Sequence, residues 1–191
     1  MRTTAPCLSW MVDGTAFSMR LHTITTPQIA THEAGHAAAM IVLTGGVEGL
    51  EVVANMAGGH CRFKSANPVR RVHRKAPPPH SRAAAVAWGC YMAPLYASGA
   101  ASPSRSDVSR AGSRKKYLPC GIDPARLALK NLMDDGYVRF FVARCSMLLQ
   151  SNGKATSAEL ERLIFDAGIV DAKRWALADR FHSECNKTKE A

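Results

Sequence analysis

Apolar residues recur at three- and four-residue spacing through most of this chain, a period that predicts a mainly helical fold. The first such run covers Pro27 to Thr44, where Ile29, His32, His36, Met40 and Leu43 repeat at that spacing. Thr25-Thr26-Pro27 offers a capping hydroxyl and a proline at the first helical position, and Gly45-Gly46 ends the run. The pattern then shortens. Gly49 to Val53 and Gly58 to Phe63 read as two strands joined by a turn, one small antiparallel β-hairpin beside the first helix. Further helices are predicted over Ser81 to Ala97, from Ser106 to Lys116, and from Asp123-Pro124 onward, with Leu127, Leu129, Leu132 and Met133 apolar. Tyr137 to Gln150 is strongly amphipathic and closes at Ser151-Asn152-Gly153. Thr156 and Glu159 stand at the capping-box offset of a short helix with Leu160, Leu163 and Ile164 inward, and a last helix covers Asp171 to Cys185. Residues 1–24 show no period and read as a loose extension; 25–185 read as a single domain and 186–191 as a tail.

One stretch of the first helix names a chemistry: His32-Glu33-Ala34-Gly35-His36. Residues four apart share a helix face, so His32 and His36 present two imidazoles to one metal ion. Glu33 stands beside them as a general base able to take a proton from water. Two neutral nitrogen ligands suit zinc, and the adjacent carboxylate suits metal-assisted hydrolysis, the pattern of the zincin peptidases. A mid-helix glycine costs roughly 1 kcal/mol against alanine, so a neighbouring backbone is expected to press against Gly35. Catalytic zinc takes three protein ligands. Ala39 and Val42 stand where a short-range extension of the motif needs glycine and histidine, and Glu48 and Glu51 fall in turn and strand, which leaves a distant ligand. His60 and Cys61 form a second donor pair on the hairpin, or else strand residues at a cleft rim.

Composition narrows the setting. The 191 residues are 47% hydrophobic and 21% charged, as in a globular protein with a real core. Six cysteines with no C-x-x-C pair argue against a disulfide framework and for a reducing cytoplasm. Ala83 to Ser104 carries no charge but is broken by Pro94 and Pro103, which favours a buried helix over a membrane span. The net charge of +10 is uneven: no acidic residue occurs from Val52 to Ser106, and the stretch 62–82 is basic, a possible surface for an acidic partner. Asn67 to His80 within it, with Pro68 and Pro77-Pro78-Pro79, reads as a loop. Nucleic acid is disfavoured because no aromatic residues interleave the charges.

Thr31-His32-Glu33-Ala34-Gly35-His36-Ala37-Ala38 resembles the zinc motif of the FtsH-type peptidases, the proteolytic half of membrane-anchored AAA proteases. In that family the third ligand is an aspartate in a Ser/Asn-Asp-x-x-x-Ala stretch after a small-residue helix. Ser106-Asp107-Val108-Ser109-Arg110-Ala111 matches, so the resemblance implies Asp107 as third ligand. It also implies that an extended substrate lies along the small sheet, giving Val52, Val53, Gly59 and His60 a binding role. The chain shows no ATPase module and reads as a stand-alone, phage-like peptidase domain. The expectation is a zinc endopeptidase acting without ATP on flexible or unfolded polypeptides. The alternatives are a zincin scaffold with regulatory binding, or a basic nucleic-acid-associated protein with structural zinc.

Overall fold

The computed structural model describes residues 11–12, 15–16, 26–63, 82–118 and 121–186; the basic loop over Asn67 to His80 and most of the N-terminal extension lie outside them. Within the extension, β1 (Met11–Val12) and β2 (Thr15–Ala16) pair antiparallel. The first helical run folds as α1 (Thr26–Thr44). It ends where Gly45, at φ +80°, donates its N–H to the Ile41 carbonyl. The chain then forms the hairpin β3 (Leu50–Asn55) and β4 (Gly58–Phe63), with Asn55 Oδ1 accepting from the Ala57 N–H in the turn.

The helical remainder follows as α2 (Arg82–Met92), a 3₁₀ turn (Ala93–Tyr96), α3 (Arg105–Lys115), α4 (Ile122–Asp134) and α5 (Gly136–Asn152). A two-residue β5 (Lys154–Ala155), α6 (Ser157–Asp166) and α7 (Asp171–Asn186) complete it. The fold is mainly α with a small antiparallel sheet, as the sequence pattern predicts. Two details differ. The sheet has three strands in the order β4-β3-β5, because the left-handed Gly153 turns the chain out of α5 so that Val52 pairs with Ala155 and Val53 with Lys154. The helix expected to reach Ala97 stops at Met92, because Pro94 has no N–H for the α-helical ladder and the backbone tightens into a 3₁₀ turn.

α1 runs through the middle of the domain. His32 to Ala39 are all buried, an apolar and polar stretch covered by α5, the sheet, α2 and the 3₁₀ turn. Its small side chains let these elements approach closely. A Cβ on Gly35 would stand 3.1 Å from Ala97 Cβ and 3.2 Å from Pro94 Cα, the close backbone expected there. On the opposite flank Thr31 Oγ1 and the buried Ser146 Oγ of α5 share a hydrogen bond of 2.8 Å. Around this axis Leu129, Leu132, Phe141, Leu149, Leu160 and Phe181 form the fully buried core. Leu127, expected among the apolar positions of α4, is instead 59% exposed; Ala125 and Ala128 take the inward positions beside Leu129 and Leu132. Among the described residues no helix is long and apolar enough to cross a membrane.

Gly35→Val forces two further methyls against Pro94 and Ala97, and is expected to destabilise the fold by about 1–3 kcal/mol, the usual cost of overpacking. A urea midpoint unchanged from wild type would show that the 3₁₀ turn yields without strain.

Candidate metal centre

His32 and His36 sit one turn apart on α1, and each ring is held from behind by a backbone carbonyl. The Nδ1–H of His36 donates to Cys90 O at 2.7 Å, and that of His32 to Ala101 O at 3.1 Å. A carbonyl only accepts, so Nδ1 carries the hydrogen in both rings and a neutral ring has its lone pair at Nε2. The Cys90 carbonyl is available for a local reason: an α-helical N–H at position 94 would have claimed it, and position 94 is proline. The same Pro94 that ends α2 therefore frees the group that orients His36.

The third group comes from α3. Ser104 caps this helix, accepting from the Asp107 N–H at 3.1 Å, while Asp107 Oδ2 accepts from Ser104 N at 3.0 Å and Ser104 Oγ at 2.6 Å. Held in this capping box, Oδ2 lies 3.3 Å from His32 Nε2 and 3.6 Å from His36 Nε2. The three residues are buried, and their ligand atoms all lie within 4.8 Å of one another. Two imidazole lone pairs and a carboxylate oxygen directed at one point repel unless a cation lies between them. A group of this kind could hold a metal ion, and the structure fits that role from both shells: ligand atoms inward, hydrogen-bonded partners outward.

Without the ion, protons answer the same electrostatic demand. Burial works to lower the His32 pKa, but Asp107, the Ala101 carbonyl and Glu33 outweigh it and raise it. Burial works to raise Asp107, yet hydrogen bonds with His32, His36 and Ser104 together hold its carboxyl well below the usual range. Glu33 is different. Burial pushes its pKa up, opposed in part by the two histidines and reinforced by Asp107. Its Oε2 is buried with no hydrogen-bond partner, a position that demands a reason in a well-packed interior.

Strand β4 lies across Glu33. A Cβ on Gly59 would stand 2.5 Å from Glu33 Cγ and 2.8 Å from the Val53 carbonyl, so only glycine fits where the strand passes over the carboxylate. A cleft of about 1020 Å³ opens over these groups, lined also by Met40, Gly59, His60, Cys61 and Tyr91. Cys61 faces Met40 across a sulfur–sulfur distance of 3.3 Å.

The sequence-derived candidates thus part company. His32, Glu33, His36 and Asp107 come together. Of the four residues given a binding role, Gly59 and His60 lie on the edge strand and line the cleft. Val52 and Val53 do not: they pair on both sides within the central β3, and Val52 is fully buried, so the expectation is corrected for both. His60 pairs in register with Val53, on the sheet face that carries Glu51 and Arg62, and its Nε2 is 3.9 Å from Glu51 Oε2. Neither Glu51 nor His60 joins the histidine pair. His22, His73 and His80 lie outside the described residues, and His182 is buried beside Phe181. Sequence reading missed Ser104, although its three-residue offset from Asp107 is a legible capping-box signal. It also missed the Cys90 and Ala101 carbonyls, which no side-chain motif encodes.

No family model, curated protein or solved structure matches this chain.

A divalent ion at a hundredfold excess over its Kd is expected to stabilise the wild type by about 2.7 kcal/mol, and the gain should vanish in Asp107→Ala. Thermal unfolding with and without added ion reads this; an equal gain in both proteins would remove Asp107 from the centre. Gly59→Ala should displace either β4 or Glu33 and destabilise the fold by about 1–3 kcal/mol. Denaturant unfolding checks it, and wild-type stability would mean that β4 does not clamp Glu33.

Proposed function

We propose that this protein is a zinc-dependent endopeptidase, with His32, His36 and Asp107 as metal ligands and Glu33 as general base. The observation that carries this reading is a buried Glu33 whose Oε2 has no hydrogen-bond partner, lining a cleft together with three converging ligand atoms. Two imidazoles and one carboxylate oxygen form a donor set suited to zinc, with room for a further ligand from solution. When bound, zinc supplies a Lewis acid that polarises the scissile carbonyl and makes a nearby water acidic enough to attack at neutral pH.

The protein's own groups do the rest. Glu33 accepts the proton of the attacking water at a carboxylate oxygen and delivers it to the departing amine nitrogen. The Cys90 and Ala101 carbonyls fix the ring planes, so that both Nε2 atoms stay directed at the centre as charge develops. Asp107 adds a negative charge that its Ser104 cap keeps ionised and in place.

β4 is an edge strand of the sheet, and Gly59 and His60 line the same cleft as Glu33. An extended polypeptide can add to this edge by backbone hydrogen bonding, which reads shape before sequence and favours flexible or unfolded segments. The resemblance of residues 31–38 and 106–111 to the FtsH-type peptidases supports the same assignment. A scaffold that only binds would have no use for an intact general base, and that favours the enzyme over a regulatory binding protein. Cys61, Cys90 and Cys145 are thiols, which supports a reducing, cytoplasmic setting.

Glu33→Gln is expected to keep one zinc per chain while cleavage of an unfolded test protein falls by at least about a hundredfold, the lower end of general-base contributions. Metal content measured beside peptide release checks this. Undiminished cleavage in Glu33→Gln would refute the mechanism.

A further inference from the structure

The cleft contains one charged side chain that the proposed reaction leaves unused. Arg110 lies on α3 three residues after Asp107, so their Cβ atoms are roughly 5–6 Å apart on neighbouring positions of one helix face. It lines the cleft, as does Ser106 one turn before it. Its guanidinium carbon stands 5.7 Å from the centre of the Tyr91 ring, a cation–π contact that steadies the group without neutralising it. Among the described residues no carboxylate pairs with Arg110.

The surroundings sharpen the point. Between Glu51 and Asp123 the chain has a single acidic residue, Asp107, and its Oδ2 is taken by Ser104 and the two imidazoles. Glu33 faces the reaction centre. Arg105, Arg114 and Lys115 accompany Arg110 on α3. Of these basic residues Arg110 is the one that lines the cleft. The Arg110 backbone stands about one helical turn from Asp107.

We infer that Arg110 forms a carboxylate-binding subsite that selects polypeptides carrying an acidic group close to the scissile bond. A guanidinium reads a carboxylate through two parallel N–H···O bonds, and the positive field of α3 raises the local concentration of such chains. The carboxylate comes either from an Asp or Glu side chain or from the free C-terminus of the substrate. The subsite rests on the peptidase reading for its role in cleavage, but its binding chemistry stands apart from turnover.

The test uses four sets of short, randomised peptides on the full-length, zinc-loaded protein. One is neutral with a C-terminal amide; one differs only by a fixed internal Glu; one only by a free C-terminal carboxylate; one only by a fixed internal Lys. Cleavage is measured with wild type and binding with Glu33→Gln, each with and without Arg110→Ala or Arg110→Glu. The expected result is a preference of about tenfold in kcat/KM and in affinity for one acidic set over the neutral set, the size of one charge-assisted contact. The set that shows it identifies the source of the carboxylate. Arg110→Ala should bring the ratio to about one, and Arg110→Glu should shift preference to the lysine set. A merely structural arginine would change all four sets alike. Cleavage with no acidic preference overturns the subsite and leaves the peptidase standing. Acid-selective binding without cleavage by wild type does the reverse, and neither binding nor cleavage overturns both.

Discussion

Two imidazoles and a carboxylate buried on one helix set the terms for everything packed around α1. Polar groups taken out of water need partners, and the interior of α1 supplies none because its own N–H and C=O groups bond along the axis. Each surrounding element answers one of these demands. The end of α2 presents the Cys90 carbonyl to His36, the loop before α3 presents the Ala101 carbonyl to His32, and α3 brings Asp107 against both rings. β4 then closes over Glu33 and leaves one oxygen unsatisfied. The two rings and Asp107 are thus held by hydrogen bonds from several elements, while Glu33 keeps one buried oxygen without a partner.

The close fit depends on small residues and on one proline. Gly35 admits the 3₁₀ turn, Gly59 admits Glu33, and Gly89 admits Leu43, whose Cδ1 would lie 3.0 Å from an added Cβ. Pro94 acts twice, as the residue packed on Gly35 and as the break that releases the Cys90 carbonyl. In this way helix termination, usually a local event, becomes part of the ligand geometry. The electrostatics follow the same economy: Glu33 and Asp107 belong to the centre, and Arg110 is the basic residue that α3 brings to the cleft.

Much of this was legible in the residues. The pentapeptide around Glu33 identified the imidazole pair, its helix and its glycine, because a helical period of 3.6 is a local property that spacing reveals. The capping box at Thr156 and Glu159 and the glycine turn at Gly153 were equally local, and both stand in the structure. Asp107 was reachable only through a family likeness, since a lone aspartate at a helix N-terminus has a sufficient reason to be there in the cap it forms. Leu127 and the two valines of β3 mark the limit of that method. Leu127 is apolar in sequence and lies outward because Ala125 and Ala128 let α4 pack close. Val52 and Val53 read as a hairpin strand, and nothing in their pattern announces that a two-residue β5 will pair on the other side.

By itself, then, the sequence determined most of the helices, the hairpin and the two imidazoles with their adjacent carboxylate, because each depends on residues within a turn or two of one another. Only the tertiary structure decided which strand is an edge, which carbonyls orient the rings and which carboxylate meets them. The ring contacts join residues 54 to 75 positions apart, from His36–Cys90 to His32–Asp107, and the pairing of Val52 with Ala155 reaches further still. They form only when burial of α1 forces distant backbone and side-chain groups to satisfy what the helix cannot.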